Sequence, residues 1–222
     1  MSPIDVVVSD FGGVLTTPLI HTFAALQEED GIDSGAMGAA LRRIAERDGR
    51  HPLYELECGR MTEHDFLAAL SAQLREDLGR DVHMHTFAER YFGHLDANDA
   101  MVAFLRELRG RGYRLAMLTN NVREWEPRWR AMLPMDELFE LVVDSAFVGL
   151  RKPDPAIYRL TCDRLGVAPE RCLFVDDLEV NCAAATELGM AAVLFRSSEQ
   201  AIAEMREALG DSQLSEPSRS QR

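Results

Sequence analysis

Asp10, Thr119, Lys152 and the pair Asp176–Asp177 are the residues of this chain whose types and settings point to chemistry. Each lies at or just beyond the end of a short apolar run. Ser9-Asp10-Phe11-Gly12-Gly13 follows Ile4–Val8, and RLAMLT ends on Thr119 before Asn120-Asn121. LVVD is followed by Ser145, with Lys152 shortly beyond, and CLFV by Asp176-Asp177. A carboxylate, a hydroxyl, an ammonium and two further carboxylates are thus offered by four separate segments. That set suggests phosphoryl chemistry around a hard cation. All-oxygen ligands suit Mg²⁺, which takes one or two carboxylates together with waters and substrate phosphate.

Lys152 stands out for a second reason. Of the 24 basic residues it is the single lysine, the other 23 being arginine. A GC-rich genome explains the arginines but not the survivor. A compact ammonium does what a planar guanidinium cannot.

Other uses of these residue types are excluded by position. Asp10-Phe11-Gly12 matches a kinase magnesium motif, but the nine residues before it leave no room for a Gly-rich loop and its lysine. There is no GxGxxG and no GxxxxGK[ST], hence no dinucleotide or P-loop signature. A receiver domain places its acidic pair early in the chain, whereas here the pair comes last.

The elements that must position these groups alternate strand and helix. Strands are expected at Ile4–Ser9, Arg114–Thr119, Leu141–Asp144, Cys172–Val175 and Ala192–Phe195, and helices at 99–109, 155–165, 178–188 and 199–209. This is an α/β pattern, a Rossmann-like doubly wound parallel sheet. Ligands of such sheets bind beyond the carboxyl ends of the strands, where the polar residues above fall. About eighty residues after the first strand read differently. Leu41, Ile44 and Ala45 share one helical face, and Thr62-x-x-Asp65 caps a stripe of Phe66, Leu67, Leu70, Leu74 and Leu78. An inserted α-helical cap subdomain is expected over 17–95, with the α/β core formed by 1–16 and 96–210. The polar tail 211–222 is expected to be disordered.

The order Asp, Thr, Lys, Asp-Asp resembles the haloacid dehalogenase superfamily, in its phosphatase branches with a helical cap after the first strand (subfamily I, C1 cap). The matching segments are VVVSDFGGVLT, LAMLTNN, GLRKPDPAIY and LFVDDLEVNCAAATELGM, and the resemblance spans residues 3 to 209. PLYELECGRMTEHDF looks like the cap stretch of the group that includes the N-terminal phosphatase domain of soluble epoxide hydrolases. The resemblance implies roles for individual residues. Asp10 is the nucleophile, forming an aspartyl-phosphate that water hydrolyses. The Gly12 carbonyl, Asp10, Asp176 and Asp177 hold Mg²⁺, with Asp177 the first choice for direct ligation. Thr119 and the Asn120 backbone bind the phosphoryl oxygens, and Lys152 neutralises charge shared by Asp10 and the phosphate. Asn181, one turn beyond Asp177, steadies that loop.

Gly12 departs from the pattern. The family's hydrolases usually carry an Asp there as general acid and base, a group worth about 10²–10⁴-fold. Relatives with Gly at this place nonetheless resemble working phosphatases. His51, before Pro52 in the loop expected to face the site, is a candidate substitute acid. The other histidines, His21, His64, His83, His85 and His94, all fall in or beside the helical segment, and His83-x-His85 has no third metal ligand in view. Trp125 and Trp129, four apart, are expected to pack on a helix, and Arg106, Arg109, Arg111 and Arg114 to form a solvated face.

The expected activity is Mg²⁺-dependent hydrolysis of a small phosphorylated metabolite. Two rivals are a non-catalytic binding protein of the same fold and a 2-haloacid dehalogenase. The dehalogenases dispense with metal and keep no Asp-Asp pair, and a buried acidic pair without a cation is costly. Composition bounds the rest. A net charge of −13 argues against nucleic-acid and membrane-surface partners. With 46% apolar and 27% charged residues the chain is globular. No apolar run approaches the ~18–20 residues of a membrane span, and no secretory signal is visible. Cys58, Cys162, Cys172 and Cys182 lack CxxC spacing and read as small buried hydrophobes. A cytoplasmic protein, monomer or homodimer, is expected.

Overall fold

The computed structural model describes residues 4–18, 28, 31–33, 35–82, 84 and 86–210. His21, His83, His85 and the tail 211–222 lie outside the described residues.

The segment VVVS forms β1 (Val6–Ser9), with every residue buried. It pairs on both sides, Val7 with Leu115 of β2 (Arg114–Thr119) and with Leu173 of β4 (Cys172–Asp176). With β3 (Leu141–Asp144) and β5 (Ala191–Leu194) these strands make a parallel five-stranded sheet in the order β3-β2-β1-β4-β5. Strands buried on both faces are continuous apolar runs, which is how their sequences read. The expected strands are recovered with small shifts. Ile4 and Asp5 precede the first ladder, and the last begins at Ala191 rather than Ala192.

Between β1 and β2 come α1 (Ala36–Asp48), α2 (Pro52–Glu57), α3 (Glu63–Leu78), α4 (Phe87–Gly93) and α5 (Asp99–Gly110). Beyond β2 follow α6 (Glu126–Met132), α7 (Met135–Leu138), α8 (Ser145–Val148), α9 (Pro155–Leu165), α10 (Glu179–Glu187) and α11 (Ser198–Ala208). Alternate strand residues face opposite layers. Val7, Leu115, Met117, Leu173 and Val175 share a core with Leu105 of α5 and Met205 of α11. Val6, Val8, Ala116, Leu118 and Phe174 pack with Ile157 of α9 and Ala185 of α10. Helices therefore cover both faces.

Among the described residues the stretch from α1 to α4 holds no strand. Thr62 caps α3 by accepting from the Asp65 amide at 3.1 Å, and Phe66, Leu70 and Leu74 form its buried stripe. In α1 the fully buried positions are Met37, Ala40 and Ile44, while Leu41 and Ala45 are half-buried at its margin. The chain leaves and rejoins the sheet side at one place. Thr16 bridges Ala97, and the Asn98 amide donates to Leu15 O at 2.8 Å. Among the described residues no helix is long and apolar enough to cross a membrane.

Candidate active site

Chain order reverses across the sheet between β1 and β4, so the loops after these two strands flank the crevice where open α/β sheets bind ligands. Asp10 stands at the end of β1, its amide donating to Val175 O of β4 at 2.9 Å. Its carboxylate Oδ1 accepts from the Phe11 amide at 2.7 Å and lies 2.8 Å from Lys152 Nζ. The same ammonium donates to Asp176 Oδ2 at 2.6 Å. The other Asp176 oxygen accepts from the Leu178 amide and from Asn181 Nδ2, each at 2.9 Å. Asn181 thus steadies Asp176, the first of the acidic pair, rather than Asp177 directly.

Lys152 is 1% exposed, so its place depends on its backbone. That backbone is clamped by Asn120, whose Oδ1 accepts from the Lys152 amide at 2.8 Å and whose Nδ2 donates to its carbonyl at 3.0 Å. Asn120 was expected to act through its main chain, and this side-chain role was missed. The two residues are 32 apart in sequence, and no local pattern announces such a pair.

Asp177 is held differently. Gly13 has φ +79°, a left-handed conformation, and a Cβ there would collide with Asp177 Oδ2. The second glycine of the motif is thus required twice over, for its turn and for the close approach of the carboxylate.

Carboxylate oxygens of Asp10, Asp176 and Asp177 come within 4.8 Å of one another. Burial raises the Asp10 carboxyl well above its usual range; Lys152 opposes this, while Asp176 and Asp177 add to it. Burial and the charge of Asp176 push Asp177 up to about 6. Burial alone would lower the Lys152 ammonium, but Asp10 and Asp176 outweigh it and hold it above the ordinary lysine value. Three carboxylates against one ammonium leave an excess of two negative charges. A divalent cation with a preference for oxygen would cancel that excess, so the donor set fits Mg²⁺.

Gly12, Thr119 and Asn120 lie in the wall of an adjoining cavity of about 350 Å³. Thr119 is buried at the end of β2. Trp125 and Trp129 also line this cavity. They do not share one helix as expected: Trp125 closes a 3-10 turn (Arg123–Trp125), and α6 starts anew at Glu126 with Pro127 in its first turn. Trp125 stacks on Tyr91 at 4.8 Å and donates its Nε1 to Glu63 Oε1 at 2.8 Å. His51 is not among the lining residues; it precedes α2 and stacks on Tyr54 at 4.2 Å. Glu57, which the sequence reading passed over, does line the cavity, paired with Arg151 at 2.6 Å. As a sealed packing defect, a void of 350 Å³ would cost about 8 kcal/mol, comparable to the net stability of a domain. Its volume falls in the range of small-molecule pockets.

Arg114 pairs with Glu140 and Arg111 with Glu107, as expected of a solvated face. All four cysteines are buried and free.

Residues 4–189 match the haloacid dehalogenase-like hydrolases. Over 222 residues the chain is 26% identical to bifunctional epoxide hydrolase 2 of Sus scrofa, covering 95% of this chain but 40% of that protein. Over 143 residues it is 34% identical to a phosphatase of Mycobacterium tuberculosis (strain CDC 1551 / Oshkosh), covering 61% and 62% of the two chains. A HAD-family enzyme of Bacteroides thetaiotaomicron, solved with magnesium and inorganic phosphate, superposes with a TM-score of 0.60 at 23% identity. That match covers 87% of this chain and 94% of the other, and it speaks to the fold. By the extent of the family match and the four motifs on one sheet, the chain belongs to the haloacid dehalogenase-like hydrolases, a family of enzymes.

Proposed function

We propose that the protein is a Mg²⁺-dependent phosphomonoester hydrolase that works through an aspartyl-phosphate on Asp10. The observation that carries the reading is the convergence of Asp10, Asp176 and Asp177 around the buried Lys152 at the ends of β1 and β4. Oδ1 of Asp10 is occupied by the Phe11 amide and Lys152, which leaves Oδ2 to attack phosphorus. The bond from phosphorus to the alcohol oxygen breaks as the Asp10–phosphorus bond forms, and the departing oxygen takes a proton from water. Water then attacks phosphorus, Asp10 leaves with the bonding pair, and inorganic phosphate is released. Lys152 stays protonated throughout and offsets charge between Asp10 and the phosphoryl group. Thr119 and Asn120 orient the phosphoryl oxygens. Asp10, Asp177, Asp176 and the Gly12 carbonyl hold the cation. Mg²⁺ bound there would keep the carboxylates ionised and draw charge from the phosphoryl group. In this reading residues 17–95 form a cap over a core of 1–16 and 96–210, the substrate is a small phosphorylated molecule, and the protein works in the cytoplasm.

Gly12 shapes the kinetics. An alkoxide leaving group needs an acid, an aryl oxide does not, and hydrolysis of the aspartyl-phosphate needs a base whatever the substrate was. An activated aryl phosphate should therefore give a burst of phenol close to one equivalent per enzyme, then slow turnover. Rapid quench with mass detection should find the phosphoryl group on Asp10, and EDTA or Asp10→Asn should abolish both phases. A single linear phase, indifferent to EDTA and to Asp10→Asn, would overturn the covalent, metal-assisted reading and leave a binding protein of the same fold.

A further inference from the structure

The cavity beside the carboxylates changes character along its length. At the sheet it meets Gly12, Thr119 and Asn120; beyond them its walls are aromatic and aliphatic, among them Phe66, Leu70, Phe87, Tyr91 and Trp125. Among the described residues Glu57 is the only fully charged side chain in the lining, and its carboxylate is already paired with Arg151 at 2.6 Å. Among the described residues no lysine, arginine or histidine lines the space.

We propose that this cavity binds the alcohol portion of the phosphate ester, and that this portion is an uncharged, apolar group of about a dozen carbon atoms. The size follows from the volume: at roughly 30 Å³ per methylene-sized group, 350 Å³ takes about a dozen. The proposal rests on the phosphomonoesterase reading, because the cavity opens onto the residues assigned there to the phosphoryl group.

The walls select against the common polar esters. A sugar phosphate would bury several hydroxyls against Phe66, Leu70 and Trp125, where they find no partners. A nucleotide's further phosphates, or the carboxylate of a phosphorylated amino acid, would meet no unpaired cation among the described lining residues. An alkyl, terpenoid or arylalkyl chain loses nothing on entry and gains from every methylene it buries. The stacked rings of Trp125, Tyr91 and Phe87, 4.8 and 6.3 Å apart by centroid from the indole, give it a rigid flat surface.

Both tryptophans of the chain line the cavity, so intrinsic fluorescence reports its occupancy without any turnover. Titration of the intact protein with 1-decanol should shift the emission to the blue and saturate, while glycerol and glucose leave it unchanged. In parallel, phosphate release is measured with Mg²⁺ from alkyl phosphates of increasing length, kept below micelle formation. Glucose 6-phosphate, glycerol 3-phosphate, phosphoserine and AMP complete the panel. kcat/KM should rise about fourfold for each methylene from butyl upward and level off near ten to twelve carbons. Leu70→Ala should move that plateau about two to three carbons further, by the volume removed; should the variant fail to fold, the decanol titration of the wild type still decides. Saturable decanol binding without hydrolysis of any phosphate would defeat the phosphomonoesterase reading and leave the apolar assignment standing. Hydrolysis of sugar phosphates or AMP at least as fast as decyl phosphate, or no response to decanol and no dependence on chain length, would overturn the assignment itself.

Discussion

Lys152 Nζ lies 2.8 Å from Asp10 and 2.6 Å from Asp176, in a space from which solvent is excluded. A guanidinium keeps the charge but needs more room and a planar, forked approach, and neither is available between two carboxylates already held by backbone amides. Lys152→Arg should therefore lower kcat/KM at least tenfold, about 1.4 kcal/mol of barrier, and destabilise the fold by roughly 1–3 kcal/mol through overpacking. Steady-state kinetics and urea denaturation check the two parts. A variant that keeps more than a tenth of the activity would reduce the lone lysine to an accident of codon usage. At this scale much was legible in advance. Asp10, Lys152, Asp176 and Asp177 announced themselves because each follows an apolar run and because lysine is otherwise absent. What stayed hidden depends on approach in space: the Asn120 clamp on the Lys152 backbone, the seat of Asp177 on Gly13, and the place of Glu57 in the cavity wall.

Elements long enough to show a period were legible too. The five strands and the helices α5 and α9 to α11 fall within one or two residues of their expected bounds, and α3 runs from the expected Thr62 cap to Leu78, the last residue of its stripe. Short turns escaped: the 3-10 turn at Trp125, α7 and α8 span three or four residues, too few to reveal a repeat. Yet α8 shows how such a turn is paid for. It is capped by Asp144, whose Oδ1 accepts from the Ala146 amide at 2.9 Å while Oδ2 is buried without a partner among the described residues. Burial pushes the Asp144 carboxyl up to about 6, against a smaller opposing effect of that amide. A carboxyl raised on folding holds its proton more tightly in the folded state. Its contribution is fully present below its ordinary value near 3.8 and is lost as pH rises through about 6. Asn keeps the acceptor and cannot ionise. Asp144→Asn should gain on the wild type as pH is raised from about 4 to 8, by on the order of 1–3 kcal/mol. Denaturant unfolding of both proteins at several pH values measures the difference, and a gap that does not vary with pH would remove burial of this carboxylate as its cause.

On the scale of the whole molecule, the strand that leads into Asp10 is the middle strand of the sheet. β1 is covered on both faces and hydrogen-bonded along both edges, to β2 and to β4. Among the described residues the helices α1 to α4 make no ladder with a strand of the sheet; they join the sheet side at the Thr16–Ala97 bridge and its flanking backbone hydrogen bonds, through a shared apolar core, and through side-chain pairs such as Trp125–Glu63 and Arg151–Glu57. Opening of those helices should therefore require less free energy than opening of β1. Native-state hydrogen exchange should show the amides of Val7 and Val8 exchanging only by global unfolding, with a denaturant dependence equal to that of the whole protein, while amides of α1 and α4 exchange through smaller openings. Faster exchange in β1 than in α3 would contradict this order. The central position of that strand has a consequence for the life of the protein under stress. On the proposed mechanism the nucleophile adjoins the last structure to open and is not lost piecemeal: heat or denaturant should first alter what the molecule admits, through its helices, and only afterwards what it does. Selectivity should decay before reactivity.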